Sequence, residues 1–386
     1  MEKLSALSGH LLEAAFITYL VGVVLFSVSA VKKQNRKPEQ IAWFVTAAGW
    51  LAQLCFFILR WVYSGHAPVS NLFEFMTFFG MMLILVLLIL YRFHRYPLLA
   101  VLALMISILI IGCAAMFPRE VAPLVPSLQS HWLYIHVTTA ALGEAVLAVS
   151  FFAGFLYILH ETDQKLQPKR AWLIEGFLVL ILSVAGYVLM AFLFRLFGYS
   201  AEILSAAGTR TIYQLPPVFI PSGAVTSSFP IQFTVPDWLR GENAAQKLNT
   251  VILALLSGVV LYLLVRLFTK KRIGAALQPL VRKLPKDVLD DIGYRSVAIG
   301  FPIFTLGALI FAMIWAQQAW DRFWGWDPKE VWALVTWLFY AAYLHIRMLK
   351  GWQGIRSAWL AIIGFCVIMF NLLAVNLLIV GLHAYA

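Results

Sequence analysis

The chain has 386 residues, 62% of them hydrophobic and only 12% charged, which excludes a water-soluble domain with an ordinary charged surface. A formal net charge of +11 would suit a nucleic-acid ligand if the basic residues formed one stripe, but they are dispersed among alternate loops. The apolar runs are long and unbroken rather than alternating, so the chain crosses a membrane as helices and not as the strands of a barrel.

In chain order the predicted spans are 10–31, 41–62, 72–92, 97–116, 133–159, 172–197, 248–268, 296–317, 331–349 and 357–382. The first is too long for a removable signal peptide and lacks the basic residues and cleavage site of one. The expectation is an all-α, polytopic membrane helix bundle of about ten transmembrane helices, with residues 1–386 forming a single integral membrane domain. Lys32, Lys33, Arg36 and Lys37 open one set of loops, which continues with Arg92 and Arg95, then Lys165, Lys169 and Arg170. Lys270, Lys271, Arg272, Arg282, Lys283 and Lys286, and finally Arg347, Lys350 and Arg356, complete it. That set is assigned to the cytoplasm, which leaves both termini and the loops 65–71, 117–131, 198–247 and 318–330 on the periplasmic side of a bacterial inner membrane.

Cys55, Cys113 and Cys366 all fall inside spans and form no C-x-x-C pair, so they read as core packing, and any thiol chemistry has to come from another protein. The periplasmic loop 198–247 is rich in Pro, Ser and Gly and reads as a cap over the membrane surface. The cytoplasmic basic loop 269–295 mixes its cations with Leu277, Leu280, Val281 and Leu284. It reads equally as a segment lying along the membrane and as a solvated loop.

The densest signal lies in loop 318–330, where Trp320, Phe323, Trp324 and Trp326 crowd just ahead of a helix start. Asp327 is placed to cap that helix, Pro328 suits its first position, Glu330 is placed to reach back as the capping-box acid, and Trp332 follows inside it. Tryptophan belongs at membrane interfaces in any case. Crowding within one loop, however, also fits a flat apolar ligand stacked on several rings. Of the eight histidines, His136 and His383 sit near the loop-side ends of the fifth and tenth spans, at the depth of the tryptophans. Each alone reads as a packing residue; the two together at one level, beside an aromatic ledge, read better as metal ligands. Ala140, Gly143 and Glu144 continue the His136 face and leave room for something bulky, Asn376 shares the face of His383, and His131 is a rival to His136. His345 lies about 21 Å along the ninth span from Val331, in the inner leaflet, where a titratable group marks either a functional site or a side chain reaching for the cytoplasm.

These segments resemble the CcsA (ResC) family of the system II cytochrome c assembly pathway. The resemblance is carried by WDRFWGWDPKEVWALVTWLFYAAYLH at 320–345, which matches the family's tryptophan-rich (WWD) haem-handling motif. SNLFEF at 70–75, LYIHV at 133–137, IGFP at 299–302 and GLHAYA at 381–386 support it. It covers the chain except roughly 187–290, a stretch that looks longer than the family's usual connection. The resemblance implies that haem b, as substrate and bound ligand, rests on Trp320, Trp324, Trp326, Asp327 and Trp332. His136 and His383 would be the paired axial ligands of its iron, and His345 a membrane-embedded ligand. It implies a partner membrane protein, CcsB (ResB), a C-x-x-C-H apocytochrome c as acceptor, thiol-reducing proteins, and no nucleic acid. The activity implied is cytochrome c synthase (haem lyase), in which no side chain of this chain acts as nucleophile and its part is positioning. A transporter of haem alone and a b-type electron-carrying cytochrome are the alternatives.

Overall fold

The computed structural model describes residues 2–31, 36–115, 117, 119, 121, 129–163, 166–204, 210–213, 215–220, 233–234, 244–349 and 351–375. These residues are overwhelmingly helical, and nine helices among them are long and apolar enough to cross a membrane. The chain is therefore a multi-pass, all-α membrane protein. It packs as two compact units, Met1–Thr162 with Gln278–Ala386, and Asp163–Leu277.

The first unit opens with α1 (Glu2–Val31), α2 (Arg36–Ser64), α3 (Leu72–Phe93), α4 (Pro97–Ala114) and α5 (His131–Glu161). It resumes with α9 (Lys286–Phe304), which runs through a π-helical stretch (Thr305–Phe311) into α10 (Ala312–Trp320), then α11 (Pro328–Arg347) and α12 (Ile355–Met369), which ends in a second π-helical stretch (Phe370–Val375). At 20 residues α11 is long enough to span about 30 Å. It is not among those nine, and the residues it buries are Thr336, Tyr340 and Tyr343. The helix α5 is central, buried along most of its length and packed on α3, α9, α10 and α12.

Close approach of α5 to α9 depends on missing side chains. A Cβ at Gly143 would fall 2.6 Å from the Phe304 backbone nitrogen, and one at Gly300 would fall 2.9 Å from the Leu147 nitrogen. Small residues let helix backbones touch where no water is available to drive burial, and dispersion then holds them. Buried polar contacts fix the neighbours. Arg60 donates from Nε to Glu74 Oε1 at 2.8 Å, tying α2 to α3. The same Glu74 accepts from the Ser70 backbone and hydroxyl, while Asn71 caps α3 by accepting from Glu74 N at 2.9 Å. At the other end of the unit Arg347 forks onto Asp290 at 2.7 and 2.6 Å, and Asp290 also accepts from Gly354 N, which joins α9, α11 and the start of α12.

The second unit consists mainly of α6 (Pro168–Leu196) and α7 (Ala244–Thr269), whose crossing also relies on small residues, since a Cβ at Gly186 would meet Ser257 Oγ at 2.7 Å. Between them lie short strands inside the loop read from sequence as 198–247. Strands β1 (Ala201–Leu204) and β2 (Arg210–Tyr213) pair antiparallel, and β3 (Phe219–Ile220) pairs in parallel with β4 (Phe233–Thr234). Asn249 of α7 holds Phe219 by both its backbone groups at 2.7 Å. Within the basic loop a short amphipathic helix, α8 (Ile273–Val281), begins where Glu175 accepts from Gly274 N at 2.8 Å and Ile273 N at 3.2 Å, with Tyr262 donating to the same carboxylate.

Candidate functional site

The first unit contains a cavity between the loop-side ends of its helices. One wall is a stripe of α5, Leu133, His136, Val137, Ala140 and Glu144, whose spacing of three and four keeps it on a single face. The facing wall is Phe304, Ala308, Ala312 and Ala316, again four apart, contributed by α9, the π-helical stretch and α10. Phe75 and the residues that start α3 close a third side, and Trp315, Phe323, Trp324, Lys329, Glu330 and Asn371 are also on the border. The enclosed volume of about 140 Å³ is close to that of a cavity that takes one benzene-sized ring. Phe323, on its border, is exposed.

His136 is held on two sides. Its Nδ1 lies 2.8 Å from the Gly307 carbonyl. A carbonyl oxygen only accepts, so Nδ1 donates, and in the neutral imidazole the lone pair is then on Nε2. The ring stacks on Trp315 with centroids 5.8 Å apart and planes 13° apart. Gly307 belongs to the π-helical stretch, a geometry that breaks the regular ladder and recurs at functional sites. An imidazole whose far nitrogen is pinned by a backbone carbonyl is the usual arrangement of a metal-binding histidine.

The tryptophan loop is built as its sequence suggests, around a capping box at the start of α11. Asp327 accepts from Lys329 N at 3.2 Å, and Glu330 reaches back to Asp327 N at 3.2 Å and to Gly325 N at 2.8 Å. Trp326 is forced into the left-handed region at φ +56°, a costly conformation for a bulky residue, and is 70% exposed. Its ring meets Trp324 edge-on at 6.0 Å. The aromatic residues do not form one ledge. Trp324 borders the cavity, whereas Trp320 packs edge-on against Trp315 at 4.8 Å and Trp332 lies on Phe370 at 4.3 Å. Asp327 acts on the backbone and does not border the cavity.

The other histidines separate. His345 lies in the last turn of α11 with its side chain exposed, on a helix face apart from the buried Tyr340 and Tyr343. His383 and Asn376 lie outside the described residues. Trp315, Lys329 and Asn371 border the cavity and were not singled out from sequence. Trp315 follows an ordinary apolar run, Lys329 reads as one of several loop charges, and Asn371 is one amide within a span. A polar residue inside a span is a signal for Asn371; nothing local marks Trp315.

The family model for cytochrome c assembly protein matches residues 69–383. Among similar proteins, the cytochrome c biogenesis protein CcsA of Nostoc punctiforme is 34% identical over 353 residues, covering 88% of this chain and 87% of its own. That of Gloeothece citriformis is 32% identical over 351 residues, covering 88% and 86%. That of Gloeobacter violaceus is 28% identical across 100% of this chain and 97% of its own length. With nearly equal overall lengths, the stretch 187–290 does not make this chain longer than that relative. The bounds of the family match and the identity to relatives of full length agree with the motifs around His136 and Trp324, and the chain belongs to the CcsA family of cytochrome c assembly proteins.

Proposed function

We propose that this chain holds haem b at His136 and attaches it to apocytochrome c, as the CcsA part of a two-protein synthase with CcsB. The observation that carries the reading is the bond from His136 Nδ1 to the Gly307 carbonyl: an imidazole oriented in this way, lining a cavity with aromatic residues on its walls, suits an iron ligand. His383 is the proposed second ligand. Trp324 is the ring on which the porphyrin lies, with Trp320, Trp326 and Trp332 bracing the loop around it. The exposure of His345 supports a ligand shared with a partner helix, for which CcsB is the candidate. The alternation of basic loops supports a bacterial inner membrane orientation with this site on the periplasmic side.

The chemistry asked of the chain is positioning. A cysteine S–H of the C-x-x-C-H segment adds across a vinyl group: the carbon–sulfur bond forms at one vinyl carbon, the other takes a proton, and no oxidant or reductant is consumed. Thiol-reducing proteins keep the acceptor cysteines reduced beforehand. Holding the macrocycle against the arriving thiols turns a bimolecular encounter into an effectively unimolecular one. The test is co-expression with CcsB and a C-x-x-C-H acceptor, followed by the absorption spectrum of the purified complex and assay of thioether product. A spectrum that His136→Ala leaves unchanged, with full product yield, removes the reading. Haem bound without thioether product would favour transport alone.

A further inference from the structure

We infer that the seam between α11 and α12 is a water-binding site, in which ordered water is held between Tyr340 and Asn371 and is continuous with the cavity. The inference does not depend on what the cavity binds.

A spanning helix that buries hydroxyls needs a reason, because polar side chains at membrane depth are costly and mark aqueous paths or relays. On α11 the residues Thr336, Tyr340, Tyr343 and Arg347 recur at intervals of four, three and four, which keeps them on one face. Ala333, three residues before Thr336, borders the cavity, and at the other end Arg347 forks onto Asp290. Opposite, α12 and its π-helical stretch set Ser357, Gly364 and Asn371 seven apart. Tyr343 and Ser357 satisfy each other at 2.8 Å. Tyr340 reaches the notch at Gly364, where a Cβ would fall 2.7 Å from its hydroxyl oxygen.

Two buried polar atoms of this seam are left over. Among the described residues neither the hydroxyl of Tyr340, which is 0% exposed, nor the side-chain oxygen of Asn371, which is 6% exposed, has a hydrogen-bond partner. Ser150 of α5 acts on Tyr340, but its own hydroxyl donates to the Leu147 carbonyl at 2.6 Å. The tyrosine hydroxyl calls for an acceptor and the amide oxygen for a donor. Water is both, and buried groups without a protein partner are the ones that ordered water serves. Gly364 and Asn371 lie about 10 Å apart along α12, a span that about three waters bridge at hydrogen-bond spacing. Asn371 borders the cavity, so water enters at that end. The bond between Tyr343 and Ser357 closes the other end, and the Arg347 guanidinium beyond it repels protons. The site is thus a blind branch of the cavity and not a leak across the bilayer. A group that gains or loses a proton in the cavity exchanges it with this water.

The test is hydroxyl-radical footprinting of the full-length chain in lipid nanodiscs, in which radiolysis of water oxidises the side chains that touch it, with mass spectrometry as the readout. Tyr19 is the internal control: it is also 0% exposed, but its hydroxyl donates to Gln53 at 2.7 Å. Tyr340 should be oxidised several-fold faster than Tyr19. Asn371→Leu, which removes the amide at the cavity end, should bring Tyr340 down toward Tyr19 and leave Tyr19 unchanged. Oxidation of Tyr340 no faster than that of Tyr19 in wild type overturns the inference, and that comparison needs no variant to fold. Fast oxidation of Tyr340 that Asn371→Leu leaves untouched overturns the link to the cavity.

Discussion

His136 and His345 belong to the same unit and differ in nearly everything that decides what an imidazole does. His136 is half-buried, bonded to a carbonyl 171 residues away in sequence and stacked on a tryptophan that is 2% exposed. His345 stands exposed on the last turn of its helix. A ligand oriented in advance needs no help from its guest, whereas an exposed one is ordered only when something covers it. One imidazole is therefore oriented before any guest arrives, and the other takes its order from whatever covers it.

Ligand removal should break that comparison most sharply. His136→Ala should abolish cytochrome c formation while the protein still inserts, with added imidazole partly restoring it, as read by haem-stained product per inserted protein. His345→Ala should lower haem only in the complex with CcsB; a normal haem content there would mean that haem arrives by another route. The packing of the first unit comes next. Glu74→Leu strands the buried Arg60 guanidinium and should cost about 3 kcal/mol of stability, measured by thermal unfolding in detergent. Smaller again is Gly143→Ala, where the added carbon meets the α9 backbone at 2.6 Å, for about 1–3 kcal/mol. Gly176→Ala, with open space around it, should change stability by less than about 0.5 kcal/mol. Equal effects of the two glycine changes would show that α5 and α9 are not packed as described. Thr305→Val, which removes the acceptor of Trp337 Nε1 at 2.9 Å, should cost about 1 kcal/mol and so fall between the two glycine changes.

The sequence alone was enough for a bundle of membrane-spanning helices and for the start of α11, though the eighth span, read as 296–317, begins at Lys286 inside the stretch read as loop 269–295. Unbroken apolar runs have one solution in lipid, a helix that bonds its own backbone, and a capping box is settled by residues three apart. Loop 318–330 was legible for the same reason, since a Trp-rich segment ahead of Asp327 and Glu330 announces both its place and its rigidity. Only the tertiary structure decided which aromatic rings reach the cavity. Trp315 and Trp324 do, while Trp320 and Trp332 turn to Trp315 and Phe370, because ring direction follows from how α5 crosses α9 and α10, and that crossing is set by Gly143, Gly300 and Gly307 acting across the bundle. The bond from His136 to Gly307 and the placing of Glu144 and Lys329 on one cavity have the same origin: each brings together residues far apart in sequence, and helical periodicity states which face a residue occupies but not what that face will meet.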